Sequence, residues 1–196
     1  MTAEYPEDLA QWRKAERARL IAVRRAMPLE TFRAASAAIM QRAADVLPPA
    51  AGAVIGCYWP FRREPDCVSY MRDMVRAGGQ VALPVVLGRG SPLAFRPWTD
   101  ETKMEPGALN ILQPAQGPVV TPTALVIPLV GFDEQGCRLG YGAGFYDITL
   151  AALAPRPFTV GVGYEFSRLP TIFPRDHDIG LDMILTEDRT RVFQRS

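Results

Sequence analysis

Apolar and polar positions change rhythm several times along this chain, and each change marks an element. From about residue 7 to Ala26, Leu9, Trp12, Leu20 and Val23 recur near helical spacing, and Pro28 stops the run. A second, alanine-rich helix is expected from Leu29 to Val46, ending at Pro48-Pro49. Residues 53–58 (AVIGCY) then form a short continuous apolar run of the kind buried parallel strands give, closed by Pro60. Helical spacing resumes from Val68 to Ala77, before Gly78-Gly79. Further strands are expected at Val81–Leu83, Leu125–Val130 and Phe158–Gly163, with a helix from near Gly144 through Leu153 between the last two. Residues 93–98 (LAFRPW) predict one more strand, in an antiparallel extension, and residues 100–123, rich in Gly and Pro, a long active-site loop.

Strands alternating with helices predict an α/β protein of three layers. A largely parallel sheet would be flanked by helices, with the N-terminal helices packed on it. The whole chain of 196 residues reads as one domain, with a helical segment over 1–48 and a sheet-containing body over 53–193.

Composition narrows the function. The formal net charge of +1 gives no global attraction to nucleic acid or to an acidic membrane. Glu7, Asp8 and Glu16 interrupt the basic first helix. Three widely spaced cysteines, Cys57, Cys67 and Cys137, and a single histidine, His177, do not suit a Cys/His zinc site. With no signal pattern and no membrane-length apolar run, a cytoplasmic protein with reduced thiols is expected, as a monomer or small homo-oligomer.

The chemistry concentrates between Phe132 and Leu150, in FDEQGCRLGYGAGFYDITL. This stretch follows a predicted strand and opens into a helix, the junction where open α/β sheets bind ligands. Gly140, Gly142 and Gly144 allow backbone N–H groups to close around an anion, and the helix start favours negative charge. Arg138 supplies a permanent cation, and Asp147, in the first helical turn, can face a phosphate-bound magnesium ion. Neither a dinucleotide fingerprint nor a Walker loop is present: Phe145 stands where the first needs glycine, and the G-K-[ST] ending of the second is missing. The residues alone therefore specify a phosphate-binding α/β domain.

The segment Gly136–Asp147 resembles the G-x-R-L-G-Y-G-x-G-x-Y-D signature of the 5-formyltetrahydrofolate cyclo-ligases. The likeness extends to Leu83-Pro84, to residues 110–114 (NILQP) and 128–133 (PLVGFD), and to His177-Asp178 followed by residues 181–187 (LDMILTE). It implies ATP-dependent closure of 5-formyltetrahydrofolate to 5,10-methenyltetrahydrofolate, with Mg2+ as cofactor and no nucleic-acid or membrane partner. It also implies roles. Arg13 and Arg17 on the first helix, and Arg138, Leu139, Gly140, Tyr141, Gly142, Ala143, Gly144, Phe145 and Tyr146, would bind ATP. Asp147 and Asp182 would serve the metal. Glu64, Trp98, Leu109 and Tyr146 would line the folate side, with Arg138 and Glu64 catalytic.

The sequence departs from the family at Leu109, where an aromatic residue often packs on the pterin; Trp98, Trp59 or Tyr58 could replace it. Read without the resemblance, Trp98 is a packing residue, Asp182 a turn residue, and Arg13 and Arg17 a solvated helix face. Two other functions fit the loop alone: a nucleotide- or folate-binding regulator without turnover, and a phosphate-binding enzyme related to sugar-phosphate isomerases.

Overall fold

The computed structural model describes residues 5–47 and 52–194. The Pro48-Pro49 stop expected for the second helix lies outside them. Helix α1 (Leu9–Ala26) starts where the Asp8 carboxylate accepts the Gln11 N–H and ends two residues before Pro28. Helix α2 (Leu29–Val46) begins directly after that proline. The body follows as β1 (Val54–Gly56), α3 (Val68–Arg76), β2 (Gln80–Val85), β3 (Ala94–Trp98), β4 (Met104–Pro106), β5 (Leu112–Pro114) and β6 (Ala124–Pro128). It closes with β7 (Gly131–Phe132), β8 (Arg138–Leu139), α4 (Phe145–Ala152), β9 (Phe158–Val162), β10 (Met183–Leu185) and β11 (Thr190–Val192).

The seven-stranded sheet has the order β11-β10-β9-β6-β1-β2-β3. Its five inner strands are parallel, and its edge strands β3 and β11 are antiparallel to their neighbours. Side chains alternate across it. Val81, Leu83, Val126 and Val160 join Ile39 and Ala43 of α2 and Met71 of α3 in one core. Ala82, Leu125, Ile127 and Ile184 join Leu150 of α4 in a second core on the other face. Three layers follow, as the alternating pattern predicts.

Helix α1 packs differently. Its Leu20 is buried with Val130, Leu139, Leu169 and Ile172, residues that sit outside the seven-stranded sheet rather than within it. Thus α1 closes over the loops at the carboxyl end of the sheet, while α2 covers a sheet face. Residues 100–123 also differ from a long loop. They contain the β4–β5 hairpin, whose tip carries a single 3-10 turn, Ala108–Asn110, with positive φ at Leu109 and Asn110. Strands of three residues each are too short to register as an apolar pattern. The same is true of the β7–β8 ribbon of two-residue strands.

Candidate functional site

From β1 the chain crosses to β2 on one side, and from β6 it crosses to β9 on the other. Strands β1 and β6 are neighbours, so the crossovers diverge and open a crevice beyond their carboxyl ends, the usual place for a ligand in such sheets. A cavity of about 270 Å³ occupies it. The whole stretch from Arg138 to Asp147 lines this cavity, joined by Arg13 and Arg17 from α1, Glu64 from the loop after β1, and Leu109 from the hairpin tip.

The glycine loop is held in one shape by its neighbours. Gly142 has φ +96° and Gly144, which caps α4, has φ +70°, both in the left-handed region where a side chain is strained. Beyond Gly144, the first-turn N–H groups of α4 have no intrahelical partners and lie in the part of the chain that lines the cavity. Arg17 Nε donates to the Gly140 carbonyl at 2.7 Å. Its guanidinium rests against Gly142, where an added Cβ would lie 3.2 Å from Arg17 Cζ. Among the described residues, Arg17 Nη1 and Nη2 carry no hydrogen bond to the rest of the chain. Burial, and then the neighbouring Arg13 charge, lower the Arg17 pKa. An incoming anion would relieve both effects.

Arg13 and Arg138 are committed to the protein. Arg13 donates to the carbonyls of Ile172 and Phe173 and forms an ion pair with Asp178 at 2.7 Å, tying α1 to the 172–178 segment. Arg138 Nη2 donates to Asp147 Oδ1 at 2.6 Å, and Nη1 to the Ile179 carbonyl at 2.7 Å. The same Asp147 oxygen accepts the Ile179 N–H. The arginine side chain is 5 % exposed and the aspartate 22 %, so Asp147 keeps a partly open carboxylate in the cavity wall.

Two predicted residues lie elsewhere. Asp182 precedes β10, at the amino-terminal side of the parallel strands, and its Oδ2 accepts the backbone N–H and hydroxyl of Thr159. It is absent from the cavity lining. Among the described residues, no group of three or more His, Cys, Asp or Glu side chains could hold a metal. Trp98 is 3 % exposed and pairs with Val81 at the start of β2, whereas Pro84 and Val86, at the far end of that strand, line the cavity. The half-buried Trp59 lines the cavity instead, with Trp98 behind it at 6.4 Å between ring centroids. Asp182→Asn is therefore expected to act on stability, costing about 1–3 kcal/mol in denaturant unfolding through its buried bonds to Thr159, while leaving the magnesium dependence of any turnover at its native value.

Glu64 is 3 % exposed, and its Oε2 accepts the Phe61 N–H at 2.9 Å. Burial raises its pKa from 4.5 to about 7, against the opposing pull of Arg24, the Phe61 N–H and the Tyr141 hydroxyl. The buried Arg24 is a participant that the pattern of apolar positions does not single out. A signal for it exists all the same: Arg13, Arg17, Leu20 and Arg24 follow i, i+4, i+7, i+11 spacing, a single stripe along α1.

The arrangement joins a glycine loop to a buried carboxylate whose pKa burial raises to about 7. Residues 9–187 match the 5-formyltetrahydrofolate cyclo-ligase family. The chain belongs to that family. It is similar to the 5-formyltetrahydrofolate cyclo-ligase of Mycolicibacterium smegmatis, at 29 % identity over 70 % of this chain and 75 % of the relative. To the Escherichia coli K12 cyclo-ligase it is 29 % identical, over 69 % of this chain and 78 % of that one. Its fold is that of the Aquifex aeolicus 5,10-methenyltetrahydrofolate synthetase, with a TM-score of 0.80, 24 % identity and 94 % of each chain covered. The Mycoplasma pneumoniae synthetase superposes with a TM-score of 0.72 at 21 % identity, over 89 % of this chain and 98 % of that one.

Proposed function

We infer that this family member converts 5-formyltetrahydrofolate to 5,10-methenyltetrahydrofolate, with cleavage of ATP to ADP and phosphate. The observation that carries the reading is one cavity lined by both the glycine loop and a buried carboxylate, within a chain matched by the family over residues 9–187. A formamide oxygen is a poor leaving group. It therefore attacks the terminal phosphorus of ATP, the bond to ADP breaks, and the formyl carbon becomes electrophilic. N10 then bonds to that carbon, phosphate leaves with the C–O electron pair, and N10 gives up its proton. Such chemistry asks for positioning and charge neutralisation rather than a protein nucleophile.

In this reading Gly140–Tyr146 cradle the phosphates through backbone N–H groups, and the open nitrogens of Arg17 supply the mobile share of positive charge. Arg13 fixes α1 over the loop by its ion pair with Asp178. Arg138 acts by orienting Asp147. Magnesium fits as an ion carried in by the phosphates, since it needs only one or two protein carboxylates and Asp147 offers one. Bound there, it would neutralise phosphate charge. Glu64, close to half-ionised at neutral pH, accepts the N10 proton. Leu109 and Tyr146 border the folate, and Trp59 takes the aromatic place expected of Trp98.

No helix among the described residues is long and apolar enough to cross a membrane. Cys57, Cys67 and Cys137 are free thiols, in keeping with a reducing, cytoplasmic setting. Residues 1–196 act as one unit in this scheme, because α1 supplies part of the cavity and α2 part of the core.

The test is the appearance of the conjugated methenyl product by absorbance, with ATP, magnesium and 5-formyltetrahydrofolate. No product above the ATP-free control would leave a binding protein. In the same assay, Asp147→Asn is expected to raise the magnesium concentration for half-maximal rate by about tenfold, with Asp182→Asn unshifted as its control. Equal magnesium curves for native protein and Asp147→Asn would remove Asp147 from the metal.

A further inference from the structure

Arg24 is 2 % exposed, yet all three of its guanidinium nitrogens have partners on different parts of the site. Nε donates to the Arg62 carbonyl at 2.9 Å, in the loop that presents Glu64. Nη1 donates to the Leu129 carbonyl at 3.2 Å, just beyond β6. Nη2 donates to the Tyr141 hydroxyl at 2.6 Å. That hydroxyl, like Arg24 itself, is among the groups that hold the proton affinity of Glu64 down. Tyr141 faces two ways. Its backbone belongs to the glycine loop, while its ring turns toward Phe61, at 6.2 Å between centroids.

We propose that Arg24 and Tyr141 are positioning residues of the reaction, a buried relay that holds the loop carrying Glu64 and couples it to the phosphate loop. The relay has a physical logic. A hydroxyl that accepts from a guanidinium is polarised to donate, and in a dry setting such bonds strengthen one another. It also solves a placement problem, since Arg62 and Arg63, just before Glu64, both have positive φ, at 49° and 58°. Bulky residues do not hold that conformation unaided. The Arg24 bond to the Arg62 carbonyl and the Arg63 bond to the Met27 carbonyl pin it from α1 and the turn after it.

Of the charges around Glu64, Arg24 lowers its proton affinity most. Arg62, on its own loop, is the other cation that holds its proton affinity down. Arg63 and Asp66 flank it on its own loop, and Arg13, Arg17, Arg138, Asp147 and Asp178 line the same cavity. Four further groups are neutral at ordinary pH: Tyr58 and Cys67 beside β1, Tyr146 on α4, and Tyr164 after β9. Burial raises the pKa of all four. Without the relay, Glu64 keeps its desolvation and loses Arg24, its strongest opposing partner, along with Tyr141, so it binds its proton more tightly and fails as an acceptor at neutral pH.

The proposal rests on the reading of Glu64 as the proton acceptor, and its test separates the two. The proton on Glu64 is followed by infrared difference titration of the carboxyl stretch, assigned by its loss in Glu64→Gln. The turnover pH profile is recorded in parallel. Tyr141→Phe, which removes one hydroxyl and leaves the loop backbone, is expected to move the Glu64 midpoint upward by about one unit. The acid limb of kcat should move with it, lowering neutral-pH turnover by about tenfold while KM for ATP stays near native. Arg24→Gln should shift the midpoint in the same direction. An unmoved midpoint in Tyr141→Phe overturns the relay, whatever becomes of Arg24→Gln. A midpoint that moves without the kcat limb overturns its part in the reaction. Native turnover by Glu64→Gln would instead overturn the acceptor reading itself.

Discussion

Gly142→Val is expected to abolish measurable ATP binding while leaving the protein folded. Two effects combine at this position. With φ at +96°, the backbone lies where a β-branched residue is strongly disfavoured, at a cost of about 1–3 kcal/mol. The new Cβ would also stand 3.2 Å from Arg17 Cζ, and two further methyl groups must find space beside that guanidinium. Arg17 cannot withdraw freely, because its Nε is bonded to the Gly140 carbonyl in the same loop. Either the loop opens or the arginine leaves, and both changes remove donors from the phosphate cradle. A loss of at least a hundredfold in affinity follows, equivalent to about 3 kcal/mol. Calorimetric titration with a non-hydrolysable ATP analogue measures it, beside a thermal melt that checks the fold. Gly140→Ala isolates the other effect, since a Cβ there meets no protein atom within 4 Å and the residue has no positive φ, so any loss of affinity reports the space left for the ligand. Native affinity in Gly142→Val would make the loop a structural turn, with the nucleotide bound elsewhere.

The difference between those two glycines also shows what a sequence carries and what it withholds. The spacing of Gly140, Gly142 and Gly144 marks the loop, but not which glycine is required by φ and which leaves room for a ligand. The central strands were legible because each is a buried apolar run, and the site because it follows one of them. The position of Asp182 was not legible. An aspartate before a strand reads alike at either end of a sheet, and only the parallel register of β9 and β10 sets it beside Thr159, away from the cavity. Trp98 was ambiguous for a similar reason, since the antiparallel pairing of β3 brings its last residue to the start of β2. Arg24 went unread because an arginine near a helix end reads as a solvated charge, although its stripe with Arg13 and Arg17 points to one shared face. Type and place alone mark Arg138 as a phosphate ligand. In the folded protein it donates to Asp147 and to the Ile179 carbonyl.

Glu64→Gln should uncouple stability from activity, and in opposite directions. The carboxyl group is buried, and burial raises its pKa from 4.5 to about 7. A raised folded-state value means that the native protein holds this proton through a range where the unfolded chain has released it. The associated stability is complete below about pH 4.5 and is lost as pH rises through about 7. Above that, the buried charge costs about 3 kcal/mol relative to acid conditions. Glutamine has nearly the same shape and can still accept from the Phe61 N–H, but it carries no charge to desolvate. At about pH 8 the variant should therefore be more stable than native by about 2 kcal/mol, a rise in Tm of roughly 5 °C for a chain of this size. Near pH 5 the difference should vanish, because native Glu64 is then itself neutral. Comparing variant with native at each pH removes the opposite slope of other carboxylates, such as Glu165, whose pKa the Arg191 guanidinium lowers. Turnover should fall by roughly a hundredfold or more at every pH, as expected when a proton acceptor is lost. Calorimetric melts across this range and initial rates at the same points supply both readouts. A stability difference that does not change with pH would mean that Glu64 is not charged above neutrality in the folded protein, and the acceptor reading would fall with it.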